Sequence, residues 1–180
     1  NCCRQSSAIA VPADGAAWLG LIYKDGSGAS PHVKKVGDST ASSPPKGVKD
    51  LLTGLEQTGR GYNSNNHDAT KDQQGKIRVT KVVGQDGKTS WIVDIPGTQD
   101  WRMNPGDDAT YLNDFATNVH AMAGQSTMYE QAIKAALESA GVSATDPVML
   151  VGHSQGGIVA MNAAAHSATS AFPYNVTHVV

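Results

Sequence analysis

Residues 146–165 read DPVMLVGHSQGGIVAMNAAA, and how the chain turns in the middle of this stretch decides the fold. Pro147 to Gly152 is a short apolar run entered through a proline, the length of a strand rather than of a helix. From Gly157 the run GIVAMNAAAHSA is lined with small residues and reads as a helix. Between them lies Gly152-His153-Ser154-Gln155-Gly156, a G-x-S-x-G sequence with a strand before it and a helix after it. A serine at such a junction occupies a strained backbone position at the strand tip, and its hydroxyl projects outward. Gly152 and Gly156 lack Cβ atoms and let strand and helix close around the kink. The start of the helix aims backbone N–H groups at the same place, where they can meet developing negative charge.

The flanking segments supply the rest of a layered sheet. Thr127 followed by Glu130 is a capping-box signature. Tyr129, Ile133, Ala136, Leu137 and Ala140 then recur with helical period, and Gly141 closes the helix. A further helix is expected from Leu112 to Ala123. Upstream, KIRVTKVV alternates, GQDGK turns through Asp86-Gly87, and TSWIVDI runs nearly apolar: a β-hairpin whose second strand is covered on both faces. Downstream, YNVTHVV at 174–180 is another strand, read as buried. Strand, helix, strand, helix, strand is the order of an α/β fold with a mostly parallel sheet and flanking helices.

The first 75 residues carry less pattern, and the expectation is one domain over 1–180, with an irregular section at 1–75 and the core at 76–180. PADGAAWLGLIY (12–23) holds a short helix carrying Trp18, Leu19 and Ile22. GVKDLLTGLEQTG (47–59) is a second helix with Val48, Leu51, Leu52 and Leu55 on one face and Gly59 at its end. Residues 24–47, 60–75 and 97–111 are polar, rich in turn-forming residues, and read as loops. No internal repeat is present.

Composition bounds the partners. With 39% hydrophobic and 17% charged residues and a net charge of −2, the chain has the makeup of a soluble globular protein with no electrostatic pull toward nucleic acid or anionic lipid. No apolar run approaches the ~18 residues that cross a bilayer. Cys2 and Cys3 are neighbours, a spacing at which a mutual disulfide is hard to form, and they read as terminal thiols without a catalytic role. No Cys/His spacing matches a zinc site, and no metal or cofactor is expected. Asp100, Asp107, Asp108 and Asp114 read as a solvated acidic rim, and the sequon Asn175-Val176-Thr177 falls in the strand taken as buried. The chain opens on Asn1 without a basic-then-apolar leader, which suggests a processed or cut start and leaves the compartment open, secreted and cell-envelope locations included.

The G-x-S-x-G segment resembles the nucleophile elbow of the α/β-hydrolase superfamily. WIVDIPGTQDW (91–101) is similar to the strand and oxyanion loop of the lipase (class 3) branch, where Gly-Ser/Thr follows an apolar strand and a Trp comes shortly after. The likeness covers residues 76–180. It implies an esterase- or lipase-like enzyme on the α/β-hydrolase fold, with Ser154 as nucleophile and Thr98 and Gln155 forming the oxyanion hole. The substrate would be a small-molecule or lipid ester. The chain departs from that branch in having Ile95-Pro96 where an aromatic-Arg pair is usual and Gln155 where a Leu is usual.

The superfamily order is serine, acid, histidine. After Ser154 there is no Asp or Glu, and the histidines are His166 and His178. His166 lies far along the helix leaving Ser154, and His178 sits within a strand. His153 is held by the elbow itself, His120 is on an earlier helix, and His32 and His67 are in polar loops. Each reads as a surface or packing histidine. The expectation is therefore an N-terminal part of the domain, truncated after the strand that follows the elbow helix, with acid and histidine outside this chain, supplied by a C-terminal polypeptide that completes the domain. Acyl transfer or thioester hydrolysis on the same elbow is the near alternative, and a non-catalytic binding module of the same fold is the distant one.

Overall fold

The computed structural model describes residues 31, 43–59, 75–98 and 113–180. The helix expected at 12–23, the cysteines, His32, His67, Asp100, Asp107 and Asp108 lie outside the described residues. In chain order the elements are α1 (Val48–Gly59), β1 (Arg78–Val83), β2 (Thr89–Ile95), α2 (Phe115–Met122), α3 (Met128–Ser139), β3 (Pro147–Gly152), α4 (Gln155–Ala165) and β4 (Asn175–Val179). The four strands form one mixed sheet in the order β1-β2-β3-β4, antiparallel between β1 and β2 and parallel thereafter. The fold is α/β.

The hairpin forms where the alternation predicts it. Its turn is closed by Gly84 N–H donating to Lys88 O at 2.9 Å and Gly87 N–H to Gly84 O at 3.0 Å. Beyond the turn, Trp91, Val93 and Ile95 of β2 share a face with Val148 and Leu150 of β3, because parallel neighbours in register point the same way. Tyr129, Ile133 and Leu137 of α3 and Val159, Ala160 and Ala163 of α4 pack onto that face as one core. Each fully buried Val, Leu or Ile there contributes about 1.5–3 kcal/mol relative to exposure.

The other face carries Asp94, which is almost fully buried. Arg78 Nε donates to it at 2.7 Å across the hairpin, and Thr58 Oγ1 of α1 approaches it at 3.5 Å. Burial pushes the Asp94 carboxyl above its usual range, and Arg78 opposes that rise. The near-continuous apolar reading of β2 thus holds for two-sided coverage, and one side of it is covered through an ion pair.

Three expectations change. Helix α1 forms, but Val48 and Leu52 stay exposed, while Leu55 and Thr58 are the buried pair. Thr58 faces Asp94 of β2, and its burial is tolerated because its hydroxyl bonds Gly54 O at 3.0 Å within its own helix. Helix α2 starts later than Leu112: Asp114 is its N-cap, its side chain accepting from Thr117 N–H at 2.9 Å, and Asp114 is buried rather than part of a solvated rim. Of the strand expected at 174–180, Tyr174 joins the core, whereas β4 (Asn175–Val179) lies at the edge of the described sheet beyond β3 and none of its residues is buried. Asn175 is half-buried and Thr177 exposed, so the burial expected of the sequon is absent. Among the described residues, no helix is long and apolar enough to cross a membrane.

Candidate functional site

The two central strands end together. Ile95, the last residue of β2, pairs in register with Gly152, the last residue of β3. The segments that follow, 96–98 and 153–154, therefore leave the sheet side by side at its carboxyl edge, where open α/β sheets place ligands. His153 N–H donates to Ile95 O at 3.3 Å and joins the two segments directly.

Ser154 sits between β3 and α4 with φ 54° and ψ −122°, a backbone region that costs a residue with a Cβ about 1–3 kcal/mol. It is exposed, and its side chain makes no capping bond to the helix it precedes. The kink exists because the glycines around it permit close backbone approach. A Cβ on Gly152 would fall 2.5 Å from Gly156 O, and one on Gly156 would fall 2.7 Å from Pro96 O and 2.8 Å from Ile95 C. Any side chain at either position would push helix and strand apart.

The first turn of α4 satisfies most of its N–H groups locally, Gly156 to His153 O at 3.0 Å and Gly157 to Ser154 O at 2.9 Å. The N–H of Gln155 donates to no described residue, and neither does that of Thr98. The segment carrying Thr98 is fixed by its oxygens. Tyr129 Oη donates to Pro96 O at 2.9 Å, Asn113 Nδ2 to Gly97 O at 2.9 Å, and Asn118 Nδ2 to Thr98 Oγ1 at 2.8 Å. Complete burial pushes the Tyr129 phenol far above its ordinary value, so it stays a donor. In a trans peptide, N–H and C=O point opposite ways. With Gly97 O turned to Asn113, the N–H of Thr98 faces away from α2.

The predicted residues Gly152, Ser154, Gln155, Gly156 and Thr98 are thus gathered at the ends of β2 and β3. Asn113, Asn118 and Tyr129 are brought to the same place and were not singled out from sequence. A polar residue inside an otherwise apolar helix stripe, as Tyr129 is in α3, is the signal that could have found Tyr129; Asn113 precedes α2 and carries no such signal.

Three of the described histidines are engaged elsewhere. His166 Nδ1 lies 2.8 Å from Glu130 Oε1, His120 Nδ1 2.6 Å from Gln125 Oε1, and His178 Nδ1 3.0 Å from Thr177 Oγ1. His153, next to the serine, is exposed: its backbone N–H is bonded to Ile95 O and its ring Nδ1 lies beside Gly97. Among the described residues, none hydrogen-bonds the Ser154 hydroxyl, and no group of three or more His, Cys, Asp or Glu could hold a metal ion. Comparison of the chain with protein-family models, with curated proteins and with solved structures finds no match.

Proposed function

We propose that this chain carries the nucleophile and oxyanion hole of a serine hydrolase of the esterase–lipase kind, built on an α/β-hydrolase fold and cleaving acyl esters. The observation that carries the reading is Ser154 itself: a non-glycine residue at φ 54°, exposed at a strand–helix junction, with its hydroxyl uncommitted to capping. Backbone strain of this kind clusters at functional sites and supports the reading; Ala168, the other described non-glycine at positive φ, carries no group to present.

In the proposed reaction, Ser154 Oγ attacks the ester carbonyl carbon and its proton passes to a base. The carbonyl oxygen becomes an oxyanion and accepts from the N–H groups of Thr98 and Gln155. The tetrahedral adduct collapses, the C–O bond to the leaving group breaks, and the base protonates the departing alcohol. Water then attacks the acyl-serine by the same route and releases the carboxylic acid. The base and its orienting acid come from outside the described residues. Thioester hydrolysis or acyl transfer would use the same serine and hole with a different leaving group or acceptor.

The absence of a described histidine at Ser154 Oγ favours a second reading, a binding module with no turnover. A fluorophosphonate probe on the full natural polypeptide separates the two. Ser154-dependent covalent labelling and ester turnover are expected, and Ser154→Ala should remove both, with turnover down at least ~10³-fold. Ester binding without labelling would establish the module instead.

A further inference from the structure

The two candidate oxyanion donors belong to different parts of the chain, and something must set the distance between them. Gln155 supplies one N–H, and its side chain is wholly buried, with Nε2 donating to Asp114 O at 2.6 Å. Asn113, the residue before, is also wholly buried, and its Nδ2 donates to Gly97 O at 2.9 Å, one residue before the other donor, Thr98. Asp114 is in turn the N-cap of α2, locked by its bond to Thr117 N–H. The start of α2 therefore grips the elbow with one residue and the oxyanion loop with its neighbour.

These two amides are unusual in what they leave undone. Gln155 Oε1 and Asn113 Oδ1 are buried, and neither has a hydrogen-bond partner among the described residues. A buried acceptor without a partner is a cost that an apolar side chain of the same size would not carry. Asp114 O, as the N-cap carbonyl, is the acceptor of the first intrahelical bond and does not depend on Gln155 for a partner. Core packing alone would be served as well by Met at position 155, whereas Asn113 is the donor that meets Gly97 O. What only the amides supply is a pair of directed N–H bonds from one rigid helix start to the two loops.

We propose that Gln155, through its side chain, and Asn113 are positioning residues that use the N-terminus of α2 as a spacer to fix the separation of the Thr98 and Gln155 N–H groups. This rests on the serine-hydrolase reading and deepens it. Donors placed in advance act most strongly on the transition state, because the oxyanion forms only there. A loosened spacer lowers kcat and leaves substrate binding nearly intact.

The test uses the full natural polypeptide, a p-nitrophenyl ester of a short acid, and a trifluoromethyl ketone that forms a tetrahedral adduct with an activated serine. Gln155→Met and Asn113→Leu keep volume and remove the directed bond. Each is expected to lower kcat about 10- to 100-fold with KM changed less than about 2-fold. Each should weaken the ketone in proportion to the fall in kcat/KM, while at Gln155→Met the melting temperature stays level or rises, because an unpartnered buried oxygen is also removed and Asp114 O keeps its helical bond. The double variant should be little worse than the worse single one, since both act on one distance. A merely structural role predicts the opposite pairing, with melting temperature and labelled fraction falling together at constant kcat per labelled site, and that result overturns the proposal. So do variants with unchanged kcat. Wild-type protein with no Ser154-dependent fluorophosphonate labelling would instead remove the hydrolase reading, and this inference with it.

Discussion

Helices α3 and α4 each begin at a residue that bears a hydroxyl. At Thr127 the backbone is extended, φ −109° and ψ 162°, and Oγ1 accepts from the N–H of Glu130 at 3.1 Å. At Ser154 the backbone is left-handed and the hydroxyl caps nothing. Thr127 is 1% exposed, whereas Ser154 faces solvent. One fold thus contains the relaxed way to start a helix on a hydroxyl residue and a strained way that withholds the hydroxyl from structure. The relaxed start shows that this chain has the means to cap a helix. The strained one is therefore specific to the serine's position, and it is enforced by the two glycines that allow α4 to crowd against the ends of β2 and β3.

The contrast breaks most readily at those glycines. Gly156→Ala would place a methyl group against the carbonyls of Ile95 and Pro96, backbone atoms at the end of β2 with little room to yield. A loss of about 3 kcal/mol in urea unfolding is expected. Gly157→Ala is the internal control: its Cβ would lie 3.6 Å from Gly152 O, an ordinary contact, and the change should be neutral or stabilising. Equal losses at both positions would mean that close approach is not what holds the elbow. At the relaxed start, Thr127→Ala removes a working cap and should cost about 1 kcal/mol, with Thr127→Ser recovering most of it. Neither change at 127 should alter the rate of fluorophosphonate labelling.

The same comparison shows what was legible in the sequence. Both helix starts were readable, because caps and G-x-S-x-G are local patterns of a few residues. So were β2, β3 and the hairpin, whose apolar spacing follows directly from which face is buried. What the sequence hid is the choice a polar side chain makes between a near and a far partner. Thr127 with Glu130 reads as a reciprocal capping box, yet only half of it forms: the Glu130 side chain goes instead to His166, 36 residues away. Tyr129, Asn113 and Gln155 likewise spend their donors on backbone carbonyls 33, 16 and 41 residues distant. No periodicity encodes those links. The buried face of α1 was misplaced for a related reason: Thr58, drawn toward Asp94 of β2, takes an inward position that a hydropathy stripe gives to Val48 or Leu52.

The smallest expected effect isolates the strain. Ser154→Ala and Ser154→Gly both delete the hydroxyl, so both should be inactive, but only Gly deletes the Cβ that makes φ 54° unfavourable. Ala keeps the strain and loses no capping bond, so its stability should match the wild type within about 0.5 kcal/mol. Gly releases strain of about 1–3 kcal/mol and gives back about 0.5–1 kcal/mol through the greater freedom of the unfolded chain. A net gain of about 1 kcal/mol is left. Urea midpoints of the three proteins, with unchanged slopes, would read it out. The prediction runs against the usual direction for glycine, which destabilises most positions. It also reverses the pattern at Thr127, where removing the hydroxyl costs stability. Should Ser154→Gly prove no more stable than Ser154→Ala, the left-handed serine is not strained, and the physical reason for treating it as a presented nucleophile is lost.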